Sequence, residues 1–270
     1  MNQVSDDQIR QNVRSRYKEI ALQSVEANSC CAPTFASSNC CDSPVDYVDV
    51  SVKIGYSSEE VTAVPDGANL GLGCGNPQAI AALQPGEVVL DLGSGGGFDC
   101  FLASRQVGDA GRVIGVDMTP EMVSRARANA TKGGFTNTDF RLGEIEHLPV
   151  SDQTVDVIIS NCVINLSPAK QQVFDEAFRV LRSGGRLAIS DIVTTAELPP
   201  EIKNDLDMMY SGCISGASSV DEVKAMLSQS GFRDVIVEPK DDSKTFIKDW
   251  VPDANVQNYI VSAVIKGIKP

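Results

Sequence analysis

From Glu87 to Ile192 short apolar runs, "EVVLDL", "RVIGVD", "DFRLG", "VDVIIS" and "RLAISDI", alternate with helical stretches through Phe101, from Glu121 and near Phe174. Alternation on this scale calls for parallel βαβ units, with helices on both faces of one sheet, and so for an α/β fold. Past Thr194 the rhythm changes. Helices are expected near 199–210 and 219–230, then a strand at "DVIVE" and a last strand at "NYIVSAVIKGI". At the other end, Ile9, Val13, Tyr17 and Ile20 recur at helical spacing with basic residues between them, which predicts an amphipathic helix over about 6–23 packed on the main body. Ser24 to Asp46 breaks into Ser, Asn, Pro and two cysteine pairs, a loop or flap. Three parts follow: an N-terminal helix and cysteine-bearing flap over 1–66, a core over 67–195, and a C-terminal lobe with the last strands of the sheet over 196–270.

A chain of 270 residues can bury a full core without staples. No apolar run is long enough to span a bilayer and no basic-then-apolar leader opens the chain, so a soluble, unexported, cytoplasmic protein is expected. With 36 acidic against 23 basic residues the net charge of −13 repels phosphate backbones and anionic lipid, which argues against nucleic-acid and membrane partners. Eight cysteines without an export signal point to thiolate chemistry or soft-ion binding rather than a disulfide framework.

The strand "VVLDL" runs directly into "GSGGGFD", so Gly93, Gly95 and Gly97 lie where the chain leaves a strand and enters a helix. Such a turn lets backbone approach a nucleotide. Phe98 stands where a dinucleotide fingerprint wants its third glycine, so a pyrophosphate is disfavoured and another nucleotide expected. Asp117 ends the next strand, the position from which a carboxylate accepts from ribose hydroxyls; capping the next helix is its other reading. In "GEIEHLP" Glu144 could accept from an adenine amine and the Ile145 amide could meet the ring, unless Glu144 is simply a solvated loop acid.

"VLDLGSGGG", "GVDMTPEMV", "GEIEHLPVSDQTVDVIISN" and "LRSGGRLAISDI", in this order, resemble the class I S-adenosylmethionine-dependent methyltransferases over roughly residues 75–195. The resemblance implies a Rossmann-like, mostly parallel seven-stranded sheet whose last strand is antiparallel, and S-adenosyl-L-methionine as cofactor. Carried over position by position, it assigns cofactor binding to Asp91, Gly93, Gly95 and Gly97, to Asp117 and Met118, to Glu144 and Ile145, and to Asn161.

Such a core does not specify its acceptor, and cysteine is the outlier. Cys162 lies just past the fourth strand, Cys213 in "MMYSGCISGA" after the fifth, and Cys74 in "LGLGCGNPQ" just before the core. Each alone is most often a small buried hydrophobe. Together, three thiolates suit a thiophilic trivalent centre that keeps its own lone pair, whereas zinc prefers four ligands and C-x-x-C pairs that neither "SCC" nor "NCC" supplies. "GCGNP", "SNCVINL" and "GCISGA" resemble the arsenite methyltransferases. That likeness implies As(III) held by Cys74, Cys162 and Cys213, methylation of arsenite and methylarsenite, and a detoxifying role. It also implies a thiol reductant of thioredoxin or glutathione type, with Cys30, Cys31, Cys40 and Cys41 as candidates for disulfide exchange and Cys40 and Cys41 assigned to the catalytic set. Larger members of the family carry a C-terminal extension with further cysteines, absent from "VSAVIKGIKP".

Cys100, among apolar neighbours, is expected to pack in the core, and His147, the only histidine, to be a surface contact rather than a base. Two other readings stand beside this one. A carbon methyltransferase for a quinone or sterol would want a long apolar pocket and often a base. A non-catalytic arsenite-binding protein would have no use for the glycine turn or Asp117.

Overall fold

In β1 (Val88–Leu92) successive side chains point to opposite faces of the sheet, and both faces are apolar. Leu90 and Leu92 pack with Ile158 and with Val173, Phe174 and Ala177 on one side, whereas Val89 packs with Val157, Phe101 and Val107 on the other. A strand buried on both faces belongs inside a parallel sheet covered by helices. Each fully buried Leu, Ile, Val or Phe of these layers contributes roughly 1.5–3 kcal/mol of transfer free energy. Asp91 falls on the Val89 face, against the helix that follows the strand.

The computed structural model describes residues 5–26, 47–199, 202, 214, 216–251 and 254–270. The Cys30-Cys31 and Cys40-Cys41 pairs, Cys213 and most of the expected helix near 199–210 lie outside them. The further strands are β2 (Arg112–Asp117), β3 (Thr138–Leu142), β4 (Val155–Asn161), β5 (Leu181–Thr194), β6 (Ser218–Ser219), β7 (Arg233–Lys240) and β8 (Ile260–Ile268). Their order is β3-β2-β1-β4-β5-β8-β7, with the two-residue β6 beside β5. β1 to β5 are parallel, and β8 runs antiparallel to both β5 and β7. This is the mostly parallel class I methyltransferase sheet with an antiparallel last strand; β6 adds an eighth strand to the expected seven. Pairing begins at Leu181↔Val155 and resumes at Arg186↔Val157, so "RSGG" lies within β5 as an irregularity in register.

The helices are α1 (Asp6–Glu26), α2 (Tyr47–Lys53), α3 (Ser58–Thr62), α4 (Gln78–Ala81), α5 (Phe98–Val107), α6 (Pro120–Gly133), α7 (Lys170–Val180), α8 (Val220–Ser230) and α9 (Lys244–Ile247). α1 packs on the body as expected, with Val13 and Ala21 buried, and Arg125 of α6 donates to the Ala21 carbonyl at 3.0 Å. Ser219 and Glu222 cap each other's backbone N–H at the start of α8. That reciprocal cap fixes where α8 begins. A third apolar cluster gathers Cys74 and Cys162 with Ile192, Leu198, Ile214, Ile247 and Ile260, where the C-terminal part covers the end of the sheet. Among the described residues no helix is long and apolar enough to cross a membrane.

Candidate active site

β1 has β2 on one side and β4 on the other, so the loops leaving β1 and β4 at their carboxyl ends diverge and leave a crevice. A cavity of about 370 Å³ occupies it. One wall is the turn after β1. Gly95 has φ +49, and a Cβ built there meets nothing within 4 Å, so the turn presents bare backbone to the cavity. The Gly95 N–H donates to Asp117 Oδ2 at 3.0 Å and the Thr119 N–H to Asp117 Oδ1 at 2.8 Å. Asp117 therefore ties the turns after β1 and β2 together, and its half-buried carboxylate lines the cavity with Met118. Burial raises its pKa and the two backbone N–H groups pull it back.

Asp91, Gly93, Ile145 and Asn161 also line this cavity. Gly97 does not: it caps α5 from the left-handed region, packed against Phe101 and Phe140. Glu144 does not either, because Arg14 Nη2 lies 3.2 Å from one of its oxygens and Arg10 Nε 3.7 Å from the other, which holds it against α1. The acid that reaches the cavity from this loop is Glu146, buried, paired with Arg10 at 3.2 Å and accepting from the Ser167 hydroxyl at 2.7 Å. His147 is exposed, as expected. Cys100 is buried as expected of a packing residue, but its Sγ also donates to Asp91 Oδ2 at 3.2 Å. Burial, then Asp99, pushes the Asp91 carboxyl up; burial, then Asp91, pushes the Cys100 thiol up.

These walls match the parts of S-adenosylmethionine. Bare backbone and Asp117 could hold the ribose, Leu70 and Ile145 the purine, and the carboxyls of Asp91 and Asp99 an ammonium and a sulfonium.

The opposite wall carries sulfur. Cys162 follows β4 with φ +60, a left-handed conformation costing a Cβ-bearing residue roughly 1–2 kcal/mol. Its N–H donates to Ser190 O at 2.8 Å, and the turn beyond it is held by Asp191, which accepts from the Ile164 N–H and from Asn165 Nδ2, both at 2.9 Å. Cys74 arrives from before β1. Gly73, at φ +132, makes this possible, because a Cβ there would sit 2.7 Å from Asn161 Nδ2. The flanking glycine thus brings the loop against Asn161. One ligand atom from each of Cys74, Cys162 and Asp191 lies within 4.8 Å of the others, all three residues buried. Burial pushes the Asp191 carboxyl up to about 6, against the pull of the Ile192 and Ile164 amides. Cys162 and Ile214, the residue after Cys213, both line the cavity, and Lys170 Nζ donates to Gly216 O at 2.6 Å.

A family model described as a methyltransferase domain matches residues 83–231. An arsenite methyltransferase of Halobacterium salinarum is 52% identical over 268 residues, which is 98% of this chain and 67% of that protein. The chain belongs to the arsenite methyltransferase family. The human arsenite methyltransferase is 42% identical over 153 residues, 53% of this chain and 40% of its own length. The chain thus spans two thirds of the first relative and well under half of the second. The crystal structure of an arsenic(III) S-adenosylmethionine methyltransferase from Chlamydomonas reinhardtii superposes with a TM-score of 0.59 at 29% identity, over 84% of this chain and 75% of that one.

Within this family fold, several buried polar residues of the site went unnoticed in the sequence. Asp191 announces itself only as a charge in the apolar run "LAISDIV", and a buried charge must be partnered. Tyr56 and Asp99 form a buried pair, Oη donating to the carboxylate at 2.8 and 3.0 Å. Gln78 Nε2 donates to the Asp99 carbonyl at 2.9 Å. Burial pushes the Asp99 carboxyl up to about 6, and burial followed by Asp99 pushes the Tyr56 phenol up. Tyr56 carries no motif, and nothing short of the fold links it to a residue 43 positions later.

Proposed function

We propose that this protein transfers the methyl group of S-adenosylmethionine to trivalent arsenic held by the thiolates of Cys74, Cys162 and Cys213. The observation that carries the reading is the buried convergence of Cys74 and Cys162 beside a cavity walled by the glycine turn and Asp117. Three thiols replace the three hydroxyls of arsenous acid with release of three waters, so every thiol proton leaves on an oxygen and no general base is required. His147, exposed, is not needed. Asp191 is occupied by N–H donors of its own neighbourhood, which fits a carboxylate that shapes the Cys162 turn rather than one that ligates.

Bound in thiolates, arsenic keeps the lone pair that a methyl transfer needs. The cofactor supplies an electrophilic methyl on a sulfonium; the lone pair forms the As–C bond as the C–S pair returns to sulfur, leaving S-adenosylhomocysteine and formally oxidised arsenic. What the chain contributes is alignment and dryness. Ile214, Trp250 and Val251 line the cavity on the acceptor side, and the third apolar cluster backs the sulfurs. Return to the trivalent state takes two electrons, which two thiols supply by closing a disulfide. Cys30, Cys31, Cys40 and Cys41, with a reductant of thioredoxin or glutathione type, are our candidates for that exchange. Repetition of the cycle on methylarsenite would clear arsenite from the cell, the detoxifying role expected of the family.

The test is label transfer from S-adenosylmethionine in excess thiol, offering As(III) in one reaction and a phenolic or quinol carbon acceptor in another. Labelled methylarsenicals with an unlabelled carbon acceptor are expected. A chain that binds the cofactor and labels carbon, or nothing, overturns the reading.

A further inference from the structure

Asn161 is placed between the two walls of the cavity and bonds to both. Its Oδ1 accepts from the Cys74 N–H at 3.0 Å, and its Nδ2 donates to Gly75 O at 2.7 Å and to Tyr56 Oη at 3.0 Å. All the polar capacity these contacts need is used, and it fixes which way the amide faces: turned over, the amide would set Nδ2 against an N–H and Oδ1 against a carbonyl. Tyr56 has a single hydroxyl proton and gives it to Asp99, which lines the cavity. An oriented chain therefore runs from the Cys74 backbone through Asn161 and Tyr56 to a carboxylate on the cofactor wall. The residue after Asn161 is Cys162, so Asn161 meets one sulfur loop through its side chain and carries the other on its backbone.

We propose that Tyr56 is a positioning residue which, through Asn161, couples the occupant of the cofactor cavity to the placing of Cys74 against Cys162, so that cofactor and arsenical each bind more tightly in the presence of the other. This rests on the reading of Cys74 and Cys162 as arsenic ligands. Asp99 is buried at the cavity wall against a phenol and a glutamine, no cation among the described residues pairs with it, and a cationic ligand beside it completes its environment. A charged occupant holds Asp99 as an acceptor for Tyr56. Tyr56 then holds Asn161, and Asn161 holds the Cys74 loop in the position that reaches Cys162. The Tyr56–Asp99 link is buried and the links through Asn161 are partly buried, and bonds in such a chain polarise one another and are worth more together than apart. Coupling of this sort is reciprocal by thermodynamic necessity.

The experiment is calorimetric titration of the full chain, its cysteines kept reduced by a phosphine, with arsenite alone and with arsenite after saturation by sinefungin, a cationic analogue that has no methyl to transfer. In the native chain the arsenite affinity should rise about five-fold or more on saturation. In Tyr56→Phe, which keeps the ring and removes only the hydroxyl, each ligand should still bind while the ratio falls to about one. Asp99→Asn, which keeps the shape and removes the charge, should lose the ratio in the same way and stands in for Tyr56→Phe if that variant does not fold. A native ratio of one, or a native-like ratio in either variant, overturns the coupling while leaving the acceptor reading in place. A native chain that binds sinefungin and no arsenite overturns the acceptor reading, and the coupling with it.

Discussion

The glycine turn and the Cys74 loop face each other across one cavity, and the chain reaches them by different routes. The turn after β1 is made within a few residues of contiguous sequence, and Asp117 fastens it to the turn after β2 by accepting one backbone N–H from each. The Cys74 loop is held from a distance, by Asn161 some 87 positions later. Its partner Cys162 sits in a left-handed conformation supported by Ser190 and Asp191 on another strand. The cofactor wall is a local structure carried by the sheet. The acceptor wall is a tertiary structure, and it depends on every segment that meets there.

This difference sets what should happen when each wall is damaged. Cys162→Ser or Cys74→Ser should cost methyl transfer to arsenic at least about a hundredfold, the scale of a misplaced reactant, while S-adenosylmethionine still binds. Label transfer and a cofactor titration on the same preparation check it; cofactor binding lost together with transfer would mean the two walls are not separable. Asp191→Asn should weaken arsenite binding roughly ten- to a hundredfold and lower the unfolding temperature, because an amide set against the Ile164 N–H and the Asn165 amide leaves a buried donor unmet. An unchanged arsenite titration would remove Asp191 from the support of the Cys162 turn. Asp117→Ala should weaken the cofactor by about tenfold with arsenite affinity alone unaltered, the loss of one charged hydrogen-bonding group at the ribose position.

A pH series sharpens the same contrast. Burial pushes the Asp99 carboxyl up to about 6, and a cationic ligand favours its charged form, so cofactor affinity should fall as pH drops through 6, by at most about tenfold per unit. For the unliganded fold the sign is opposite. The native state holds this proton more tightly than the unfolded chain, so the contribution of Asp99 to stability is fullest below the ordinary carboxylate pKa of about 4 and is lost as pH rises through 6. The smallest effect is expected at Glu144: a part-exposed pair with Arg14 is worth about 0–1 kcal/mol, so Glu144→Gln should move cofactor affinity less than roughly fivefold. A larger loss would restore the adenine contact expected from the sequence.

How much could be read beforehand follows the same division. Strand, glycine turn and strand-end acid are contiguous signals, so the alternation of strands and helices, the turn and Asp117 were legible from local periodicity and turn chemistry, whereas the mostly parallel sheet with its antiparallel last strand came from the family resemblance. Cys74 and Cys162 were legible as chemical outliers, without any indication of what would bring them together. Glu144 looked like a cofactor ligand because its arginine partner lies 130 residues earlier, in a helix whose basic face carries no sign of its destination. Tyr56, Asp99 and Asp191 were silent for a related reason. A buried polar group is recognised by its partners, and theirs come from other segments of the chain.

In the proposed site arsenic is bound by sulfur alone, at Cys74, Cys162 and Cys213, with Asp191 shaping the site from behind. X-ray absorption at the arsenic edge, on the full chain loaded with one equivalent of arsenite, reads the ligand atoms directly. Three sulfur neighbours and no oxygen are predicted. Two sulfurs and an oxygen that is lost in Asp191→Asn and unaffected by Cys213→Ser would contradict the claim, and would make the carboxylate the third ligand.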